Sequence, residues 1–408
     1  MKLPNTSHPL PWVVAALAVC SMLTTQPVCA QQRSFEIYGF AMLDWIQDTK
    51  RMDPNWEDAF RPSKIATPEG EFGTNGQSSL SVKQSRFGVR GSLPTGDNTP
   101  PVTFKFEFDF FGTGVDAGQT TIRLRHIYGE WGQLLAGQTN SVFMDIDVFP
   151  NVIDYWGPAG MVFLRDPQIR WTALRDGKNE AAIAIERPGN DIDAGNVRLI
   201  GGLQNAVVNP DETIPDLTAH WRRDEDWGHA QLAGILRRVG YEYAASPQAP
   251  LNKGSQTGWG LNLSGVYNTI GKDKVLASVV YGHGIASYMN DGGTDVGPTV
   301  NYPTTATSLR ADAVPLTGVV AYYDHYWNEQ LSTSLGYSFT KVTNTNFQAD
   351  DAFRKGQYAS VNLLWYPAKR VMIGGELLWG ERTDKDGTTG KDGRFQFSIK
   401  YDFDAKIL

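Results

Sequence analysis

Basic side chains recur at alternating positions in several short segments of the chain. Arg123 and Arg125 are separated by one residue, so they share one side if the backbone is extended. A wall of such groups can hold a carboxylate, because the planar guanidinium group offers two parallel hydrogen bonds. We predict that small anions bind to Arg86, Arg90, Lys105, Arg123, Arg125 and Arg170. The alternative is that these cations pair with Glu107, Asp109 and backbone carbonyls and only stiffen the wall.

A second group of charged residues lies in the connection 141–167. This connection is unusually apolar for an exposed loop, since it contains Phe143, Phe149 and Trp156. Folding into a lumen would bury these side chains and narrow the passage, whereas packing at a subunit interface is the alternative. In the first arrangement we expect the acids to face the basic wall and create a transverse field, with Arg165 as a further anion contact. The charged residues concerned are Asp145, Asp147, Asp154, Arg165 and Asp166.

Residues suited to catalysis or metal binding are sparse. No histidine pair has the spacing of metal ligands on a helix, and no G-x-S-x-G motif occurs. The segment Gly112–Gly118 resembles a nucleotide-binding loop, but it joins two predicted strands and has one residue too many before its last glycine. A net charge of −7 provides no dominant basic face for nucleic acid. We predict no enzyme activity, no cofactor, no metal and no nucleic-acid partner.

The N-terminal segment is typical of a secretory signal. An apolar block, Trp12–Leu23, follows a stretch in which Lys2 is the one charged side chain, and Val28-Cys29-Ala30 resembles a signal-peptidase site. We predict that residues 1–30 form a cleaved signal peptide, which removes both cysteines of the chain. The longest apolar run is far shorter than the ~20 residues of a membrane-spanning helix. The mature chain, 31–408, is therefore predicted to be exported without disulfide bonds or spanning helices.

Three segments of the mature chain alternate apolar and polar residues with a period of two. One face of Val102–Phe110 carries four phenylalanines, and the other carries Thr103, Lys105, Glu107 and Asp109. Leu331–Phe339 and Arg394–Phe403 repeat the pattern. Such alternation indicates strands with one apolar and one polar face. The pattern fits either a soluble sandwich or an outer-membrane barrel, whose apolar face meets lipid and whose polar face lines a wet lumen.

The connections distinguish between these two folds. Long connections at 46–79, 141–167 and 188–213 contrast with short turns such as 367–369. Long loops at one end and short turns at the other are typical of bacterial outer-membrane barrels. We predict one all-β domain, a transmembrane antiparallel β-barrel of about 16 strands with 141–167 as an inward-folded constriction loop. Its location would be the outer membrane of a Gram-negative bacterium.

The positions of the aromatic residues predict two belts, one at each end of the strands. Indole and phenol rings prefer the interface between hydrocarbon and water, which lies at these ends in a membrane barrel. Residues near the short turns are Trp131, Trp227, Tyr267, Trp327, Trp365 and Tyr366. Residues near the long connections are Trp45, Trp259 and Trp379. A soluble sandwich gives no reason for aromatic rings to gather at strand ends.

Several segments resemble the DcaP-like outer-membrane channels. They are Gln84–Gly88, Phe104–Phe111, Arg123–Gly137, Phe149–Gly160 and His229–Arg238, in that order along the first half of the chain. The resemblance implies a trimeric barrel that admits small anionic solutes, typically dicarboxylates. The chain differs from the family pattern in two ways: the predicted mature chain has no coiled-coil segment before the first strand, and it continues beyond the final aromatic residue, Phe403.

Three functions agree with this pattern. A selective anion channel is favoured by the basic lumen, a broad-specificity diffusion porin shares the architecture, and a surface adhesin would need a plugged lumen. For the channel we expect a homotrimer whose partners are outer-membrane lipid, lipopolysaccharide and small carboxylate solutes.

Overall fold

The computed structural model describes residues 33–200, 203–299 and 310–407. The predicted signal peptide and its cleavage site lie outside these residues. No helix in the described part of the chain is long and apolar enough to cross a membrane. The strands are β1 Ser34–Asp48, β2 Gln77–Ser81, β3 Arg86–Leu93, β4 Val102–Phe111, β5 Thr120–Trp131, β6 Leu134–Asn140, β7 Arg165–Arg175, β8 Asn179–Glu186, β9 Val207–Pro210, β10 Asp216–Glu225, β11 Gly228–Ala244, β12 Asn252–Asn268, β13 Lys274–His283, β14 Val296–Thr299, β15 Arg310–Ala313, β16 Pro315–Asn328, β17 Leu331–Val342, β18 Phe353–Ala368, β19 Val371–Asp384 and β20 Thr389–Lys406.

Sixteen of these strands form a closed antiparallel barrel, as the sequence predicts. Neighbours along the chain pair with one another, and β20 pairs with β1 in a register that places Ala41 opposite Tyr401. The remaining strands are short: β2 extends the line of β3 along β1, β9 pairs with the end of β11, and β14 and β15 form a separate ribbon. Residues 82–85 separate β2 from β3.

The outward face of the barrel is apolar over most of its height. Alternate residues of the central strands are exposed, as shown by Leu261, Leu263, Val279, Leu363 and Leu377. Exposed indoles lie at both strand ends, at Trp131, Trp227, Trp327 and Trp365 beside the turns and at Trp45, Trp259 and Trp379 towards the loops. These positions fit a band of hydrocarbon between two interfaces.

Tyr366 does not belong to this belt. Its hydroxyl accepts a hydrogen bond from the Asn151 side chain at 3.2 Å, so the ring faces the barrel interior. The ring also packs beside Met42, Leu364 and Met372. The residue adjoins Trp365 in a strand, and neighbouring side chains of a strand point to opposite faces.

The sequence predicts a polar inner face, but part of the barrel interior is a hydrophobic core. Inward side chains of β11, β13 and β16, among them Ile235, Leu276, Val280 and Val320, pack against buried loop residues. The loop residues of this core include Phe143, Met144, Val148, Met161, Tyr288 and Met289. An apolar inner wall is needed there because loops that fold inward bury apolar side chains against it. The charged part of the lumen lies on the other side, along β1, β3, β4, β5 and β20.

Candidate functional site: the constriction of the lumen

The connection 141–164 crosses the interior of the barrel, which confirms the predicted inward-folded loop. We call it the constriction loop. On one side, Asp145 contacts the wall at His229 and Ser264, over 2.8 and 2.7 Å. Further along, the backbone amides of Ile153 and Asp154 donate to Glu376 of β19, at 3.0 and 3.1 Å. The loop is therefore attached to the wall at two separate places, on β11 and β12 and on β19.

Local features of the loop match this path. Gly157 has a φ of 74°, a conformation that L side chains rarely adopt, and it turns the chain after Trp156. Gly160 lies against the wall, where an added Cβ atom would be 2.1 Å from the carbonyl oxygen of Phe339. The Trp156 indole donates to the carbonyl of Asn290 at 2.6 Å, which joins this loop to the connection between β13 and β14.

The predicted basic side chains on β3, β4 and β5 face the lumen opposite the constriction loop. A β-bulge in β5 places Glu107 opposite His126 and Phe108 opposite Leu124, so Arg125 is the extra residue. Because of the bulge, Arg125 and His126 are both buried and turned inward, although they are neighbours in the sequence. Simple alternation could not place both residues on one face.

Most of these cations have acidic partners, as the alternative interpretation expects. Arg123 binds both oxygens of Asp109, at 3.2 and 2.9 Å. Arg125 donates to Glu107 at 2.7 Å and to Asp109 at 2.8 Å. The Lys105 ammonium lies 3.1 Å from Glu107. These pairs neutralise much of the predicted charge.

The two outlying members of the predicted set are also engaged. Arg90 is exposed on the inward face of β3 and makes two bonds to Glu36, at 2.9 and 3.0 Å. Arg170 donates to the side chain of Gln168 at 2.9 Å and to the carbonyl of Asn140 at 2.5 Å. They therefore hold neighbouring strands together.

Arg86 and Arg165 differ from the other cations. The Nε atom of each is buried without a hydrogen-bond partner among the described residues. The Arg86 Nε is 3.6 Å from Glu107, too far for a hydrogen bond, and the guanidinium lies over the Phe40 ring. The Arg165 guanidinium lies over the Phe163 ring, 4.7 Å from the ring centroid, and the side chain makes no ion pair or hydrogen bond among the described residues. Both groups retain free capacity to donate to an anion.

A cavity of about 360 Å³ lies between this wall and the constriction loop. Its cationic lining residues are Arg86, Arg125, Arg165 and Lys400. Its apolar and aromatic lining residues include Phe40, Met42, Ile146, Phe149, Val152, Leu364 and Met372. The site thus presents cations on one side and a largely apolar surface on the other, and Asp154 of the loop is the acidic residue of its lining. Lys400 was not in the predicted anion set, although it lies on the polar face of the last alternating segment.

The acids of the loop region lie elsewhere than expected. Asp147 and Asp145 lie near Arg222, at 2.6 and 3.7 Å, and Asp166 pairs with Arg187 at 3.0 Å. They therefore bind the opposite wall and the rim, so they do not form a transverse field against Arg86 and its neighbours. Arg165 and Asp166, which the sequence assigns to the loop, begin β7.

Asp154 is buried inside the loop structure. Its carboxylate accepts from the amides of Phe60 and Gly157, both at 2.9 Å, and from the hydroxyl of Tyr358 at 3.1 Å. Burial raises the pKa of Asp154 above its ordinary value, although these bonds act in the opposite direction. The residue therefore organises the loop.

Asp145 is in a different electrostatic environment. Burial alone would raise its pKa, but the hydrogen bond and charge of His229, with Ser264 and Arg222, hold the pKa below the usual range. Asp145, Asp147 and His229 place three ligand atoms within 4.8 Å of one another. Their atoms already serve protein partners, so the cluster is explained as an attachment of the loop to the wall.

Sixteen strands, outward aromatic belts and a loop folded across a partly charged lumen define an outer-membrane channel of the porin class. The family model of the DcaP outer membrane protein matches residues 20–403, and the chain belongs to this family. No curated protein matches the chain. The sequence resemblance to the family is therefore confirmed over nearly the whole chain.

Solved structures show the same fold. The outer membrane channel DcaP of Acinetobacter baumannii is 23% identical, with a TM-score of 0.73 over 91% of this chain and 97% of that one. OmpT of Vibrio cholerae in its trimer form is 12% identical, with a TM-score of 0.53 over 91% of this chain and 100% of that one. OmpF of Salmonella typhi, in complex with daunomycin, is 10% identical, with a TM-score of 0.54 over 90% of this chain and 97% of that one.

Proposed function

We propose that this channel admits small organic anions, dicarboxylates in particular, by passive diffusion through the space beside the constriction loop. The observation that carries the proposal is the pair of unpartnered Nε–H groups on Arg86 and Arg165 at one cavity. A buried donor without a partner costs free energy, and an anion would satisfy both. Arg125 and Lys400 line the same cavity but have acidic partners, Glu107 and Asp109 for Arg125 and Asp402 at 3.3 Å for Lys400.

The charge balance of the site supports anions over cations. Arg125 is shared between Glu107 and Asp109, and Arg123 binds Asp109, so both acids are engaged by arginine. No acid on the wall opposes Arg165 with an ion pair in the described residues. Charge in a confined space is screened less than charge on an open surface. The positive charge of Arg165 and its neighbours therefore acts on passing solutes.

The test measures ion preference in planar bilayers. In a potassium chloride gradient, the reversal potential of the wild-type channel is expected to indicate preference for chloride. Succinate or phthalate should reduce the chloride current in a saturable manner. Arg86→Ser with Arg165→Ser is expected to lower the preference and to weaken the block by at least about a hundredfold, since it removes two charge-assisted hydrogen bonds worth ~1.5–3 kcal/mol each.

Arg90→Ser is the matched control, because Arg90 is an inward-facing arginine on the same strand as Arg86, is bound to Glu36 and is absent from the cavity lining. It should leave the block by dicarboxylate unchanged. Cation preference of the wild type, or equal effects of the two variants, would contradict the proposal.

A broad-specificity diffusion porin is the second candidate. It is favoured by the ion pairs of Arg123 and Arg125, which leave much of the wall neutral. The same bilayer experiment separates the two, since a channel without a binding site shows no saturable block by any one solute.

We also propose that the mature protein is residues 31–408 and that it assembles as a homotrimer in contact with outer-membrane lipid and lipopolysaccharide. Support for assembly comes from the outward face of β3, β4 and β20. There Phe87, Phe106, Phe108 and Phe403 form a continuous aromatic patch, with neighbouring ring centroids 5.7 to 6.4 Å apart. Aromatic surfaces of this kind are enriched at protein interfaces.

A further inference from the structure

Two lysines lie side by side on the outward face of the barrel, at the end that carries the long loops. Lys341 of β17 is directly opposite Lys355 of β18 in the strand register. Alternate residues of a strand share a face. Lys341 is on the face of the exposed Tyr337, and Lys355 is on the face of the exposed Val361, whereas Thr340 and Tyr358 on the other face are buried. Like charges directly opposite each other destabilise a sheet.

Neither lysine is neutralised within the protein. Lys355 lies 5.5 Å from the centre of the Phe339 ring, but no ion pair or hydrogen bond of either ammonium group occurs among the described residues. Lys391, an outward cation nearby on β20, shows the usual arrangement, because it binds Glu381 at 3.0 Å. The pair is therefore an unbalanced double positive charge on the surface that meets the membrane.

The surroundings place this pair at the interface between hydrocarbon and water. Tyr337 and the belt residue Trp379 are exposed on the strands of this region. In the strand register, Thr317 is opposite Lys341 and Thr383 is opposite Lys355. The four residues that lie side by side across β16 to β19 at this level are therefore all polar. Head groups of the outer leaflet lie at this level.

We infer that Lys341 and Lys355 form a binding site for the phosphate groups of a phosphorylated glycolipid in the outer leaflet. A phosphate group between the two ammonium groups would remove their repulsion and make two charge-assisted contacts. The acyl chains of the same lipid would lie on the apolar wall below, next to Phe339. The inference rests on the proposed contact with outer-membrane lipid and is independent of the solute that the lumen admits.

The experiment measures lipid binding to the full mature protein purified in detergent. Diphosphorylated lipid A is titrated against the wild type and against Lys341→Gln with Lys355→Gln, with binding followed by native mass spectrometry. The double variant is expected to bind about 30-fold more weakly, which is the effect of two lysines near an anionic surface. Lipid A without phosphate groups should bind the wild type as weakly as diphosphorylated lipid A binds the variant.

Lys272→Gln with Lys369→Gln is the control, because both lysines lie at the short-turn end of the barrel and are exposed. It should bind diphosphorylated lipid A like the wild type. Equal binding of the phosphate-free lipid, or equal loss in the control variant, would overturn the inference. Millimolar inorganic phosphate is the third arm, and its complete displacement of the lipid would identify a free-phosphate site instead.

Single-channel conductance and anion preference are recorded for the same samples. These two measurements report folding and the proposed lumen function independently of lipid binding, since the lysines point away from the lumen. Unchanged conductance with lost lipid binding supports the glycolipid site even if the channel proves non-selective.

Discussion

At the scale of single residues, Tyr155 connects the constriction loop to the basic wall. Its ring stacks on Phe111 with centroids 4.1 Å apart and planes 6° apart. Its hydroxyl donates to Asp109 and accepts from Arg125 at 3.0 Å. This side chain thus joins the loop to the wall and lines the cavity through which we propose that solutes pass.

Tyr155→Ala is expected to raise single-channel conductance and to destabilise the protein by about 3 kcal/mol, because it removes a stacked ring and a hydrogen bond. Tyr155→Phe keeps the ring, so its conductance should equal that of the wild type. Single-channel recording and thermal unfolding measure the two effects. A conductance of the alanine variant equal to that of the phenylalanine variant would show that solutes pass elsewhere.

At the scale of elements, the constriction loop is held by carboxylates of the wall and not by regular secondary structure. Glu376 accepts the amides of Ile153 and Asp154 and the side-chain amide of Asn362, the last at 2.9 Å. These bonds replace the strand partners that a buried loop backbone lacks. The position of the loop therefore depends on a few wall residues.

Glu376→Ala should loosen the loop, because it leaves two buried backbone amides unpaired at a cost of about 1–3 kcal/mol each. We expect frequent brief conductance steps in single-channel records of the variant and steady currents in those of the wild type. Glu381→Ala is the control, since Glu381 lies on the outward face of the same strand and binds Lys391. Steady currents in Glu376→Ala would refute this role.

At the scale of the whole molecule, the barrel is divided into a packed half and a charged half. The loops pack on Ile235, Leu276, Val280 and their neighbours, while Arg86 and Arg125 face the remaining space. The outward surface is divided as well, with the phenylalanine patch on β3, β4 and β20. We assign the proposed trimer contact to that patch.

Phe106→Ser with Phe108→Ser is expected to convert the proposed trimer to monomers, since it removes aromatic area from the proposed interface. Leu261→Ser with Leu263→Ser, on the exposed outward face of β12, is the matched control and should remain trimeric. Light scattering after size-exclusion chromatography in detergent measures the mass. A monomeric wild type would contradict the assembly, and a trimeric phenylalanine variant would move the interface elsewhere.

Much of this architecture could be predicted from the sequence. Period-two alternation in Val102–Phe110 and Arg394–Phe403 places Glu107, Asp109 and Arg394 inward, where the structure has them buried. The apolar connection after β6 was recognisable because Phe143 and Phe149 have no place in water. These features are local, so the order of residue types along the chain is enough to identify them.

The partners of the charged residues could be identified only from the tertiary structure. Whether Arg123 is free or bound depends on Asp109 of the neighbouring strand, and a bulge in β5 decides that Arg125 and His126 share a face. Asp145 and Asp154 meet Ser264 and Tyr358, each more than 100 residues away along the chain. Periodicity determines which face a side chain takes, whereas closure of the barrel and the path of its loops determine what the side chain meets, because those contacts join residues distant in sequence.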